Sequence, residues 1–430
     1  MVRGNLSREF SIHAGEGDRI KNVPQKQPVV ERSRTMEKPR ILIISPMYAT
    51  FVKDQIDQMA PHFHSVYVLV RTNPLAEISR IIPISYLIPF SVAQKIDLST
   101  TPENVHVIQT PVIYLPTASG YEKLGRSHLK SVERCIKNHT IAFDLIHAHF
   151  TWSGGYVGSK LKETYAVPFI ITAHGMDIYD LPFKNPFYTE NITRILNSAD
   201  RIITVSRNNL ASIRRLGIKK PVSVILNGYT ASVFFPRDQK KCREELGLPQ
   251  NKKILVNVAK LYDVVKGHEI LIRAMQEVTK KRDDIVCYIV GDGGLRTSLE
   301  NLITELHLEH SVKIVGAKPH QEIPAWINAA DVFVLPSLNE GNPTVMFECL
   351  GCGKPFIGTR VGGIPETISS DTYGLLSEPG NVQELADTIL ASLSREWDHE
   401  AILDYAHQFT WEILTREILG IYKEVVKRAR

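Results

Sequence analysis

Two glutamates, Glu340 and Glu348, flank Gly341-Asn342-Pro343-Thr344-Val345-Met346-Phe347 and follow an apolar run over residues 332–335. The run reads as a buried strand and the segment after it as a short loop leading into a helix. Asn342 suits the cap position and Pro343 the first helical position, where a missing N–H costs nothing. Such a helix turns its free N–H groups and its positive dipole end toward the carboxyl edge of the strands, a place that binds anions and above all phosphate. Carboxylates repel phosphate but accept hydrogen bonds from hydroxyls. Glu340 in the loop and Glu348 in the helix therefore suit a sugar and a ribose on either side of a diphosphate. The pattern proposes a nucleotide-sugar site.

Cations stand where that diphosphate needs them. Lys260 follows a predicted strand over 254–258, and Lys266 opens the next predicted helix. The pair can neutralise the charge that grows on a departing nucleotide. Lys318, after the strand predicted at 312–315, is a position whose backbone can meet the base. Gly291-Asp292-Gly293-Gly294 lacks the spacing of a dinucleotide fingerprint and reads as a strand-to-helix turn. His147 and His149 alternate on one face of a strand end with no carboxylate or cysteine at matching metal spacing, and Cys349 and Cys352 have no second pair to complete a zinc site. These two thiols suit helix packing, and neither a metal nor any other cofactor is expected.

The elements that must hold these groups alternate along the chain. Apolar runs at 40–46, 66–70, 105–108, 145–147, 169–172, 202–205 and 222–226 read as strands, with helical patterns at 52–63, 129–138, 155–165 and 207–216. The second half repeats the scheme with strands at 254–258, 286–290, 312–315 and 332–335 and helices at 267–279, 295–306 and 323–330. Ile270, Leu271, Ala274, Met275 and Val278 form the stripe of a helix packed on a sheet. This alternation implies doubly wound α/β architecture. A linker near 229–239 divides the halves, and 411–430 reads as a helix with Ile413, Leu414, Ile418, Leu419, Tyr422 and Val425 apolar.

With 430 residues, 43% hydrophobic and 23% charged, the chain suits two ordinary globular domains. A formal charge of +5 fits solubility, or attraction to diphosphates or an anionic membrane face. No dense Lys/Arg tract with interleaved aromatics argues for nucleic acid. Five scattered cysteines do not make a disulfide framework. With no secretory signal and no long apolar span, a reduced cytoplasmic protein, at most peripheral to a membrane, is expected. Residues 1–38 are polar and aperiodic, so they are expected to be disordered, with 1–35 dispensable or translation starting at Met36. The stretch 81–90, apolar but broken by Pro83 and Pro89, reads either as core and connector or as a surface touching lipid or a hydrophobic acceptor.

Together these segments resemble retaining glycosyltransferases of family 4, which have the GT-B fold. Glu340 to Glu348 resembles their E-x7-E signature. Gly351-Cys352-Gly353-Lys354-Pro355-Phe356-Ile357 and Val361-Gly362-Gly363-Ile364-Pro365-Glu366 resemble the loop and strand that follow, and Val258-Ala259-Lys260-Leu261 with Lys266-Gly267 the basic phosphate-contacting segment. Thr172-Ala173-His174-Gly175-Met176-Asp177 is similar to the H-G-x-D loop, and Ile225-Leu226-Asn227-Gly228 to the N-G element before the linker.

The resemblance implies two Rossmann-like domains facing across a cleft: an acceptor domain over 39–232, a nucleotide-sugar domain over 233–412, and a helix over 413–430 crossing back to the first. It implies that Glu340 holds the donor sugar, with the amides of Gly341 and Asn342. Thr344 and Val345 amides cradle phosphate, Glu348 accepts the ribose hydroxyls, and Lys260, Lys266 and a neutral His174 complete the catalytic group. Asp177 either joins them or only caps the following turn. The implied reaction moves a hexose or related sugar from a UDP- or GDP-type donor to a glycan or lipid-linked acceptor, with retention and without a metal. A nucleotide-sugar 2-epimerase and a silent nucleotide-sugar-binding subunit are the alternatives. Two departures stand out: Ala259-Lys260 replaces the more usual Gly-Arg, and the loop at 46–52 has no glycine where many relatives carry a pair.

Overall fold

The computed structural model describes residues 38–80, 90–115 and 117–429. The expectations for the N-terminal extension and for the 81–90 stretch fall outside these residues, apart from Lys38 and Phe90.

Seven strands build the first sheet: β1 Arg40–Ser45, β2 Ser65–Thr72, β3 Val105–Pro111, β4 Leu145–His149, β5 Phe169–Ala173, β6 Arg201–Thr204 and β7 Val222–Val224. All pair in parallel, in the order β3-β2-β1-β4-β5-β6-β7. The second sheet has β8 Lys253–Val258, β9 Ile285–Val290, β10 Val312–Gly316, β11 Val332–Leu335, β12 Phe356–Thr359 and β13 Gly374–Ser377, again parallel, in the order β10-β9-β8-β11-β12-β13. Strands such as β1, where Ile41, Leu42, Ile43 and Ile44 are wholly buried, have apolar side chains on both faces and need helices on both. The architecture is therefore two Rossmann-like domains of the GT-B type. In each sheet the strand order reverses at one place, between β1 and β4 and between β8 and β11, and the loops leaving those strands border the crevice where ligands bind.

Several elements differ from the sequence expectation in length. The helix expected over 129–138 spans Ala118–Asn138; Thr117 caps it by accepting from Gly120 N, and Leu124 and Gly125 in its first half are buried. Gly120 and Gly125 weaken the local helix signal there, so packing decides that stretch. The helix Pro186–Ser198, not anticipated, has the usual start signals: the Asn185 side chain accepts from Tyr188 N, and Pro186 takes the first turn. Thr50, in the glycine-free loop after β1, adopts φ +49, a left-handed conformation costing a non-glycine residue about 1–2 kcal/mol. The backbone geometry a glycine would suit is thus present without the glycine.

The helix Trp411–Ala429 lays Trp411, Leu414, Ile418, Leu419, Tyr422 and Val425 into the same core as Ile41, Val68, Ile170 and Ile203 of the first sheet. Tyr422 Oη meets His147 Nδ1 at 2.5 Å, and Arg201 pairs with Glu424. Ile413, expected on the apolar stripe, is 39% exposed, because it sits one residue off the 414-418-422-425 face. Chain entry and return run side by side: Tyr229 N donates to Phe409 O and Trp411 N to Tyr229 O, both at 3.1 Å. Ile418→Ala should therefore cost about 2–5 kcal/mol, read as a lowered Tm. Ile413→Ala should stay within about 0.5 kcal/mol. Equal losses for the two would contradict this packing.

Candidate functional site

Glu340 lies in the loop leaving β11 and is 7% exposed, a burial no carboxylate tolerates without partners. Its Oε1 accepts from Lys266 Nζ and from Ser337 Oγ, each at 2.7 Å. Lys266 is brought there by the loop after β8, whose Val265 O accepts from Leu338 N at 2.7 Å. Behind Glu340 stands Gly362, at φ +53; a Cβ there would come within 1.8 Å of Glu340 O, so the Val361-Gly362-Gly363 turn can close on this loop only with glycine. Gly363 N then donates to Gly341 O at 2.9 Å.

The helix after this loop is Thr344–Gly351, with Pro343 as its cap residue and no side chain bonded to its first amides. Asn342 is not the cap. Its Oδ1 accepts instead from Asn227 N at 2.8 Å, and its carbonyl from Asn227 Nδ2 at 2.7 Å. The competing partner from the N-G element takes the cap group away. The first N–H groups, at Thr344 and Val345, thereby receive no side-chain cap, the state in which a helix start can accept an anion. Glu348, one turn on, is also 7% exposed and lies 3.3 Å from His320 Nε2. His320, which the sequence reading passed over, sits in the turn after β10, at the carboxyl edge; that location was the available signal.

The first domain brings His174 to the same place. A Cβ on Gly341 would meet His174 O at 2.1 Å, so the two loops touch backbone to backbone. His174 Nε2 lies 3.0 Å from His149 Nδ1, and its Nδ1 is buried with no hydrogen-bond partner among the described residues. Burial first, and then the cost of placing a second protonated ring beside His149, hold it well below the ordinary histidine pKa, so the ring is neutral. Phe51 and Phe150 pack against it at tilted angles, and the His149 ring lies stacked beside it. Asp177 does not line the site. Its Oδ1 accepts from His174 N at 3.0 Å and Gly175 N at 2.8 Å, and its Oδ2 from Thr151 N at 2.8 Å, which fixes the loop. His149 is thus a neighbour of His174, and His147 is occupied by Thr172 and Tyr422.

The remaining candidates are less converged. Lys260 has its side chain open to solvent, yet enough protein surrounds it that desolvation, and then the Lys266 charge, lower its pKa. Lys318 Nζ rests 5.9 Å over the Trp326 ring, so its side chain is engaged in packing. Gly291–Gly294 forms the expected turn between β9 and the helix Arg296–Glu305. Cys349 and Cys352 are buried, and Cys349 Sγ donates to Lys354 O at 3.3 Å.

One first-domain carboxyl feels the second domain. Burial pushes Asp54, on the helix Thr50–Met59, up to about 6, with His320 opposing and Glu348 adding to the shift. An ordinary Asp titrates near ~3.9. Between these values the folded protein holds the proton more tightly than the unfolded chain, so this group's stability contribution is lost as pH rises through the window. Asp54→Asn should raise Tm relative to wild type above pH ~6 and leave it unchanged near pH ~4. A pH-independent difference would show that Asp54 carries no such cost.

The sequence matches Glycosyltransferase Family 4 over residues 49–232 and Glycosyl transferases group 1 over 238–409. It is 28% identical over 311 residues to an uncharacterized glycosyltransferase of Methanocaldococcus jannaschii, covering 70% of this chain and 82% of that one. It is 27% identical over 319 residues to a D-inositol 3-phosphate glycosyltransferase of Corynebacterium aurimucosum, covering 68% and 74%. In fold it is similar to sucrose-phosphate synthase from Thermosynechococcus elongatus, with TM-score 0.75, 22% identity, and coverage of 91% of this chain and 100% of that one. It is also similar to HepE of Anabaena in complex with UDP, with TM-score 0.69, 21% identity, and coverage of 90% and 100%. Both halves of the chain, the order of their motifs and the two facing sheets agree: the chain belongs to glycosyltransferase family 4, with the GT-B fold.

Proposed function

We propose that the protein transfers a sugar from a UDP- or GDP-type nucleotide-sugar donor to an acceptor hydroxyl with retention of anomeric configuration, in glycan or glycolipid assembly. The observation that carries this reading is the Lys266–Glu340 pair beside an uncapped helix start, with the buried Glu348 one turn beyond. Glu340 and the Gly341 and Asn342 amides hold the sugar. Thr344 and Val345 amides with Lys260 and Lys266 take the diphosphate, Glu348 accepts the ribose hydroxyls, and the Lys318 backbone meets the base. His174 Nδ1, without a partner among the described residues, suits a hydrogen bond to a donor hydroxyl. A GT-B protein solved with UDP-glucose, 21% identical to this chain, supports the donor class.

The hydrogen bonds these carboxylates already make argue against a double displacement and leave the same-face route as the one we propose. Glu340 is bound by Lys266 and Ser337, and Asp177 by three backbone amides, so neither is free as a nucleophile. The bond from the anomeric carbon to phosphate breaks and the bond to the acceptor oxygen forms on the same face. The acceptor proton passes to the departing phosphate, whose charge Lys260, Lys266 and the helix amides stabilise. No described helix is long and apolar enough to cross a membrane. The net charge of +5 and the 81–90 stretch support peripheral contact and a lipid-linked acceptor.

Free UDP or GDP should appear only when acceptor is added. Release without any acceptor, together with a converted free sugar, would favour the epimerase, and no release under any condition a silent binding subunit. Glu340 contacts strengthen as positive charge develops on the sugar, so Glu340→Gln should lower kcat by about 10²–10³. Lys266→Ala should act alike, because its partner charge peaks in the transition state. Glu348→Gln should chiefly raise donor KM, since the ribose changes little during reaction. Near wild-type turnover of both Glu340→Gln and Lys266→Ala at saturating donor would remove the assignment.

A further inference from the structure

A second polar cluster gathers where β2, β3 and β4 end, and the donor reading uses none of it. Arg71, in β2, donates from Nη1 to Ser153 Oγ at 2.7 Å, while its Nε is buried without a partner among the described residues. The Tyr114 ring lies 5.8 Å from the Arg71 guanidinium carbon, and its buried hydroxyl is also unpartnered. His128 meets Ser153 Oγ at 2.9 Å and Thr110 Oγ1 at 3.3 Å. Lys95 Nζ donates to Arg71 O at 3.0 Å and lies 6.0 Å from the Phe90 ring.

Arg71 and Lys95 are 9% and 6% exposed. Among the described residues neither pairs with a carboxylate, and residues 81–89 contain no Asp or Glu. Two buried cations with no counter-charge are unfavourable, and the low dielectric that makes them so strengthens any anion contact they gain. The cost is visible at Lys95, which burial and the Arg71 charge lower to about 7. His128 adds no charge, since burial holds it well below the ordinary range. What remains is a donor set: an Arg fork, an ammonium and a phenol hydroxyl.

We propose that this cluster is an acceptor subsite that binds a phosphate group carried by the acceptor. The guanidinium fork and ammonium match a dianion with several acceptor oxygens. The location fits, because the cluster stands at the carboxyl edge of the first sheet, and Gly154, next to Ser153, packs against His149 O, whose ring contacts His174. The proposal rests on the glycosyltransfer reading for its word acceptor. Its test does not, because binding is measured without donor.

Isothermal titration with glucose 6-phosphate, glucose, and vesicles of phosphatidic acid or phosphatidylcholine separates the possible sources of the phosphate. Wild type should bind glucose 6-phosphate but not glucose, or phosphatidic acid but not phosphatidylcholine; the first result assigns a soluble phosphoester, the second a lipid. Arg71→Met and Lys95→Met should each weaken that binding by about tenfold or more, the scale of a lost charge-assisted hydrogen bond. The Lys260→Ala/Lys266→Ala double variant should leave it unchanged. UDP or GDP binding by Arg71→Met should persist, which tests the donor reading separately. The proposal is overturned if neither phosphate probe binds, or if the loss follows Lys260 and Lys266 instead. Failure of both Met variants to fold would make the cations structural and overturn it too.

Discussion

The burial of the Glu340 carboxylate is the constraint around which the second-domain side of the crevice is built. A carboxylate at 7% exposure needs its charge met, and the protein meets it with one ammonium and one hydroxyl. Lys266 can reach only because its loop is tied by Val265 to the loop after β11. The rear of the glutamate must be backbone as well, which is why Gly362 presses on its carbonyl. Three loops from three strand ends therefore share one position. Moving any of them leaves a charge short of partners, at a cost of several kcal/mol.

This constraint also bears on chemistry. In the proposed transfer, the groups that satisfy Glu340 are those a diphosphate and a sugar would compete for, Lys266 turning toward phosphate and sugar hydroxyls taking its place at the carboxylate. That exchange would gain as the anomeric carbon becomes positive and the phosphate negative, so the ion pair would serve as the preorganised form of the site.

Much of this was legible in the sequence because it is local. Glu340, Lys266 and His174 stand in the segments that follow apolar runs, with Glu348 one turn into the helix beyond Glu340, and a parallel sheet places such segments along one edge. The parts not legible are non-local. Whether Asn342 caps its own helix depends on Asn227, 115 positions away, offering a stronger set of bonds. The Arg71 cluster draws on the ends of three strands and two helices, and no spacing in the sequence announces that, among the described residues, its two cations have no carboxylate partner. Thr50 shows the converse: a left-handed backbone position occupied by a residue that does not signal it.

The contacts between the two domains are unequal in kind, and that inequality bears on how substrates enter. At the crossing, Tyr229 is wholly buried between chain entry and return, and Trp411 and Leu414 begin an apolar seam along the first sheet. Across the crevice the ties are polar: Asn227 with Asn342, and Glu366, whose carboxylate accepts from Arg207 N at 2.8 Å and Asn208 N at 2.9 Å. Where His174 O meets Gly341, the contact is backbone touching backbone. Water can replace each of those hydrogen bonds at small net cost, whereas exposing the seam would forfeit apolar burial at about 25 cal/mol per Å². The free energy joining the domains is therefore concentrated at the crossing. The crevice is closed by hydrogen bonds and backbone contact rather than by apolar burial, a distribution that suits a transferase whose substrates must reach groups this deeply buried.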